Sequence, residues 1–443
     1  MRHMSRRLAI AAAFALVVGA CSFGTETPGT QAPTGSGTET GMAPVNLTIW
    51  SHRSDAFNGA IEQAATAYTA VHPEVTFTFE DFAYNQYIQT LQTALPAGTG
   101  PDILQMFGTW TCSYSGFLAP VPQDVMTTEA AHEAFYAAPI GGYTCDDTLY
   151  GFPHEFNIEY GATLVNTDVA DAAGVDWEAG WATWDDFRAD ALAMTETIDG
   201  NITRAGYHFT AADGLSYSFF SLLVQSGGAM LNEDATAFTF DTAEGREAFA
   251  ILQAMVDDGI IDPVLFNDEE NWVGDCYFED LCSMGLVGPW VVRDYEESAP
   301  DIAAATTYVA LPPNEGSSAF VADSGWGMTV SKDSPAAEAA WDFIAFATID
   351  PENAAAFNLT SGSLPALVAN GEGAGRDALV AEFPHFAPFF EILPDGQYVG
   401  NLPDRDLVWY DIAYPHLLAG LQGVESVDDM LAAMQREANE TFG

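Results

Sequence analysis

Five tryptophans stand where strand-like runs end, beside Ser, Gly, Asp or Asn: Trp50, Trp110, Trp272, Trp290 and Trp326. In open α/β sheets, ligands bind just outside strand ends. An indole face flanked by carboxylates suits a sugar there. Ring C–H groups stack on the indole, while Asp, Glu and Asn take the paired hydrogen bonds of vicinal hydroxyls. "GPW" (288–290) and "DSGWG" (323–327) are the clearest cases, because the neighbouring glycines are expected to leave an indole face bare. Trp177, Trp181, Trp184 and Trp341 lie on or near helical patterns and read as packing residues.

Catalytic motifs fail one by one. "HEFNI" (154–158) and "HEAFY" (132–136) begin like a zincin motif, but Ile158 and Tyr136 stand where the second histidine belongs. Neither a G-x-S-x-G elbow nor a Walker A loop occurs, and "GEGAGR" (371–376) breaks the dinucleotide pattern at Arg376. A glycosidase carboxylate pair stays open on motif grounds, but with 63 acids no single one singles itself out. The reading is a binding protein without cofactor or metal.

Charge narrows the partners. Lys+Arg 12 against Asp+Glu 63 leaves a net charge of −51, and Lys332 is the one lysine. Nothing is available to neutralise phosphates, which excludes nucleic acid. The 48% hydrophobic and 12% aromatic content argues against disorder. Such a surface repels itself unless salt screens it, to a length of roughly 3 Å at 1 M, which fits a salt- or alkali-adapted source. A calcium sponge is the minor alternative, without an EF-hand pattern.

At the start of the chain, Arg2, Arg6 and Arg7 precede the apolar run "LAIAAAFALVVGA" ending at Cys21. This is a secretory leader, too short for a membrane span. "LVVGAC" resembles the bacterial lipobox, which implies a signal peptide over 1–20 and a lipid on Cys21. Residues 21–44 are rich in Gly, Thr, Ser and Pro and read as a tether. The remaining cysteines, Cys112, Cys145, Cys276 and Cys282, allow three connectivities. Pairing nearest neighbours gives Cys112–Cys145 and Cys276–Cys282; a four-cysteine metal site is the competitor, without a CxxC pair.

Strand-like runs at 45–50, 75–79, 102–107, 162–166, 282–288, 306–311 and 326–331 alternate with helices, which predicts an α/β fold with mostly parallel strands. Thr183 caps a helix with Asp186 at capping-box spacing, and Trp184, Phe187, Ala191 and Met194 follow at helical intervals. Asp241 and Glu244 are expected to cap the next, which stripes Phe249, Leu252 and Val256 and stops at Gly259. Pro335 is expected in the first turn of a buried helix.

An ordered series of short motifs then carries a resemblance. "LTIWSH", "AYTAVHPEVTFTFE", "LQTALPAGTGPDILQM", "LYGFPHEFNIEYGATLVNTDV", "ATWDDFRADA", "CSMGLVGPW", "SGWGMTVSKDSPAAEAAWDFIAFATIDPENAAAFNLTSGSLPAL" and "LLAGLQGVESVDDMLAAMQREANE" span residues 45–443. Together they resemble the extracellular solute-binding proteins of carbohydrate ABC transporters, the maltose-binding-like group. The resemblance implies a two-lobed periplasmic-binding-protein fold with an interlobe cleft. Lobe 1 would hold 45–157 and 313–362, and lobe 2 would hold 158–312 and 363–443. Three hinge crossings are expected, near Phe156–Glu159, Leu311–Asn314 and Gly362–Leu364. Hinge closure on a small solute, expected to be a sugar, would deliver it to a membrane permease. A polyol, glycerol phosphoester, polyamine or osmolyte is the alternative solute, and the protein would be a monomer held by its lipid alone at the outer face of the cytoplasmic membrane, or in the periplasm. The implied ligand residues are Ser51, His52, Trp110, Glu155, Tyr217, Trp290, Asp323, Ser324, Gly325 and Trp326, with Gly108 and Thr109 beside Trp110. Asp102 in "GPDI" is read as structural, bracing its turn.

Overall fold

The computed structural model describes residues 44–209, 213–262, 273–402 and 405–442. The leader, Cys21 and Trp272 lie outside them.

Two mixed sheets organise the chain. Their strands are β1 (Val45–His52), β2 (Val75–Phe82), β3 (Ile103–Phe107), β4 (Gly151–Pro153), β5 (Ala162–Asn166), β6 (His208–Phe209), β7 (Met284–Leu286), β8 (Thr306–Ala310) and β9 (Trp326–Val330). The first sheet runs β2-β1-β3-β9-β4 and the second β6-β7-β5-β8. Alternation sets β1 in place: Leu47, Ile49 and Ser51 point inward, while Asn46 faces water. Helix Asp55–Val71 covers it, burying Ala60, Ile61, Ala64, Ala65 and Tyr68 at helical spacing. Asp102 accepts from the Thr48 backbone N–H and hydroxyl at 2.9 and 2.8 Å and from Ser334 at 2.6 Å, so it braces the turn into β3.

The expectation of mostly parallel strands is corrected. β1 is parallel to β2 and β3, but β9 runs antiparallel to both β3 and β4. In the second sheet β5 is antiparallel to β7 and β8, and only β6–β7 is parallel. β9 reaches the first sheet only after the chain has built much of the second core, so no βαβ crossover constrains its direction.

Two hydrophobic cores form. One gathers Leu47, Ile49, Ile103, Phe152, Met328, Trp341 and Phe343 around the first sheet. The other gathers Leu164, Phe187, Phe220, Phe249, Tyr308 and Trp409 around the second. Phe320, Val321 and Ala322 still pack in the second core, and Trp326 packs in the first. The second crossing therefore comes at Asp323–Gly325 rather than near 311–314. At the third, Phe357 packs with the first core and Leu364 with the second. Ala366 and Leu367 then return to the first core before Leu379 rejoins the second, so the expected boundary at 363 is not a single step. The first crossing is stitched to the others, with Phe156 N–H donating to Leu364 O at 2.9 Å and Asn157 N–H to Ser324 O at 3.1 Å.

Local signals mostly hold. Thr183 caps Trp184–Ala193 by accepting from Asp186 N–H at 3.1 Å. Helix Ala243–Asp257 is capped by Thr242 rather than Asp241, whose carboxylate instead takes Arg246 at 2.7 Å. Its inward stripe is Phe249, Leu252 and Met255, with Val256 only partly covered. Pro335 sits in the turn before helix Ala337–Thr348, because Ser334 already holds Ala336 N–H at 3.1 Å.

Cys112 and Cys145 are bridged. Cys276 and Cys282 are not; both are free and buried. Their thiols hydrogen-bond, and burial pushes the Cys282 thiol well up, away from the thiolate that disulfide chemistry requires.

Candidate functional site

A cleft of about 1120 Å³ lies between the two cores. One wall comes from the first core: His52 and the loop after β1, Tyr84, Phe107 and Trp326. The opposite wall comes from the second: Trp290, Glu296, Glu297, Arg405, Asp406 and Tyr410. The floor is made by the crossings, with Glu155, Asn157, Glu159, Asp323 and Ser361–Ser363. In the extended first crossing, Phe156, Ile158 and Tyr160 turn into the protein, each about 1% exposed, which puts Glu155, Asn157 and Glu159 on the other side.

Trp326 is 7% exposed. Its indole lies flat against the His52 imidazole, at 4.0 Å between centroids and 12° between planes. Phe107, Trp110 and Tyr84 meet it edge-on at 5.2, 5.4 and 6.3 Å. The bare indole face expected from "SGWG" is therefore covered. Its glycines serve the backbone instead. Gly325 has φ +127°, and a Cβ there would sit 2.9 Å from Asn157 N and from Glu155 O. A Cβ on Gly327 would meet Phe152 O at 2.3 Å. Gly325 lets the first crossing close on the chain just before β9, and Gly327 lets β9 close on β4.

Glu155 accepts from Trp326 N–H at 3.0 Å through Oε1. Burial pushes its carboxyl up to about 8, the Trp326 hydrogen bond pulls against this, and Asp323 adds to it. Glu159 holds the "GPW" loop, accepting from Gly288 N–H at 3.0 Å and from Trp290 Nε1–H at 3.2 Å. Asp323 is paired with Arg405 at 3.0 Å, both side chains about 5% exposed or less. Burial raises the Asp323 carboxyl and Arg405 holds it down, with Tyr217 and Asn157 also hydrogen-bonded to it. Arg405 reaches Tyr217 Oη at 2.5 Å and Asp406 at 2.8 Å. Its guanidinium lies over the rings of Tyr217, Trp409 and Tyr410 at 5.2, 5.1 and 5.3 Å.

Of the residues singled out from sequence, His52, Glu155, Trp290, Asp323 and Trp326 line this cleft together. The other five do not. Ser51 turns inward and donates to Asn58 at 2.8 Å. Trp110 packs behind Trp326, and Tyr217 is fully buried beneath Arg405. Ser324 is fully buried and donates to Pro139 O at 2.6 Å, and Gly325 is enclosed by the first crossing. Sequence reasoning missed Arg405, Tyr84, Glu159 and Tyr410. Arg405 had a signal, as a rare cation set against the aromatic run "LVWY". Glu159 had one too, in the alternation of Glu155, Asn157 and Glu159. Among the described residues, no group of three or more His, Cys, Asp or Glu side chains is arranged to hold a metal ion.

A family model described as bacterial extracellular solute-binding protein matches residues 63–377. A Brucella abortus binding protein is 25% identical over 354 residues, 80% of this chain and 81% of that one. The lactose-binding protein of Rhizobium radiobacter is 26% identical over 276 residues, 60% of this chain and 61% of that one. Among solved structures, the cyclic alpha-maltosyl-1,6-maltose binding protein of Arthrobacter globiformis superposes with TM-score 0.75 at 22% identity, covering 90% of this chain and 99% of that one. The sugar-binding protein of Xanthomonas citri does so with TM-score 0.74 at 18% identity, covering 90% and 97%. At these identities the shared property is the two-lobed fold.

Proposed function

The chain belongs to the bacterial extracellular solute-binding proteins, and on that premise we propose that it is the substrate-binding component of an ABC importer that takes a sugar between its lobes. The observation that carries this reading is one cleft with an aromatic residue on each wall, Trp326 and Trp290, and carboxyl groups between them at Glu155, Glu159 and Asp323. The Trp290 ring suits one face of a pyranose, the packed Trp326 borders the cleft opposite it, and the carboxyls suit its hydroxyls. The names of the lactose-binding and maltosaccharide-binding relatives support the same class.

In this reading the lobes rotate about the three crossings, close on the sugar, and present the closed shape to permease subunits in the membrane. The protein binds and releases, with no bond made or broken. It acts as a monomer outside the cytoplasmic membrane, tethered through a lipid on Cys21. Purified protein is to be titrated with a panel of neutral mono- and oligosaccharides, with polyols, glycerol phosphoesters and polyamines beside them, at low and high salt. A rise in melting temperature and a change in tryptophan emission with a sugar are expected. A response to a non-sugar alone would overturn the sugar assignment and leave the fold intact.

A further inference from the structure

Behind the His52–Trp326 stack runs a buried line of three polar side chains. His52 Nδ1 lies 2.9 Å from Gln105 Oε1. Gln105 Nε2 lies 3.2 Å from His154 Nε2. Gln105 is wholly buried at the centre of β3, and His154 is 5% exposed at the start of the first crossing. The other ring nitrogen of His154, Nδ1, has no hydrogen-bond partner among the described residues. Its surroundings are the rings of Phe57 and Phe357, at 5.2 and 4.5 Å. Burial holds His52 down to about 4 and His154 well below its ordinary value, so each carries a single N–H at neutral pH.

Two arrangements satisfy the same two contacts, related by a half-turn of the Gln105 amide. With the oxygen toward His52, His52 is protonated on Nδ1. The amide N–H then donates to His154 Nε2, and His154 must carry its proton on Nδ1, a buried donor facing phenyl rings. With the amide nitrogen toward His52, both imidazoles are protonated on Nε2. His154 donates to the amide oxygen, and its unpartnered atom is a lone pair. A buried orphan N–H is the rarer and costlier defect, and an unfilled acceptor is better tolerated.

We propose that Gln105 and His154 are positioning residues that hold His52 as its Nε2–H tautomer, so that His52 offers a hydrogen-bond donor to the cleft beside the Trp326 indole. Nδ1 of His52 is taken by Gln105, which leaves Nε2 as the ring nitrogen available to a solute. A donor at that corner meets the oxygen of a sugar hydroxyl or ring, whereas an ammonium group, with donors only, finds no partner in it. This last step rests on the solute-binding reading; the tautomer is a property of the unliganded chain.

The test is a two-bond proton–nitrogen correlation spectrum of the full chain, labelled with ¹⁵N-histidine and free of added solute, with His52 and His154 assigned by His52→Phe and His154→Phe. The expected result is the Nε2–H pattern at both rings. The Nδ1–H pattern at either ring, or two tautomers in exchange at His52, would overturn the proposal. Gln105→Glu offers an acceptor to both neighbours. It is expected to convert His52 to Nδ1–H and leave His154 unchanged, and an unmoved His52 signal in folded variant would overturn the coupling. The wild-type spectrum decides the matter even where the variant does not fold, and it does so whatever the sugar panel returns.

Discussion

The His52 imidazole and the Trp326 indole lie face to face, 4.0 Å apart and 12° from parallel. One residue ends the first strand of the chain and the other begins a strand that returns from the second core, 274 positions later. Their contact joins the two ends of the first-lobe wall, which is why Trp326 both packs and faces the cleft.

Because Trp326 is 7% exposed, its role is tested by stability as well as by binding. Trp326→Ala is expected to lower unfolding free energy by about 3–5 kcal/mol in urea melts, as for other large-to-small core changes. Trp326→Phe keeps a ring against His52 and is expected to cost well under half of that. An alanine variant as stable as wild type would place Trp326 outside the packed core.

The Arg405–Asp323 pair is almost wholly buried, with side chains 5% and 4% exposed. Arg405→Met leaves Asp323 charged without its main partner and is expected to destabilise by about 3–5 kcal/mol. The double variant Arg405→Met, Asp323→Asn is expected to recover much of that loss. A double-mutant cycle in denaturant measures it, and additive single effects would show that the pair is not coupled.

Glu155 sets a pH dependence. Its carboxyl rises from the ordinary 4.5 to about 8 through burial. Between those values the folded state binds more protons than the unfolded chain, so stability falls as pH rises and levels off above about 8. Asp323, also raised by burial, acts in the same direction. Glu155→Gln removes the Glu155 contribution. The stability of wild type relative to the variant should fall from pH 5 to pH 8 in urea melts, and a flat difference would refute the burial argument.

Gly327 is enclosed by β4, where an added Cβ would meet Phe152 O at 2.3 Å. Gly327→Ala is expected to cost about 1–3 kcal/mol by forcing β9 and β4 apart. Gly59, with open space around it, is the control, and Gly59→Ala is expected to be neutral or slightly stabilising in the same melts.

Much of this molecule was legible in the chain. Strand 162–166 stands where its apolar run lies, and Thr183 caps the helix its spacing announces. These signals are local: periodicity and capping depend on neighbours within a few positions. The order of motifs also pointed to two lobes around a cleft. Half of the expected cleft residues reached the wall, and for Ser51, which did not, the reason is directional. Ser51 and His52 are adjacent on a strand and face opposite sides, so a loop named from sequence delivers only one of them to a ligand.

By itself, the sequence determined the strand and helix signals, the order of the motifs that pointed to two lobes, and the strong acidity of the chain. The tertiary structure alone decided that "SGWG" glycines make room for backbone rather than solute, since only packing brings Glu155 and Asn157 against Gly325. It alone paired Asp323 with Arg405, 82 positions apart, and set Gln105 between two imidazoles. Pairings of that kind depend on which faces two lobes turn toward each other, and no local pattern carries that information.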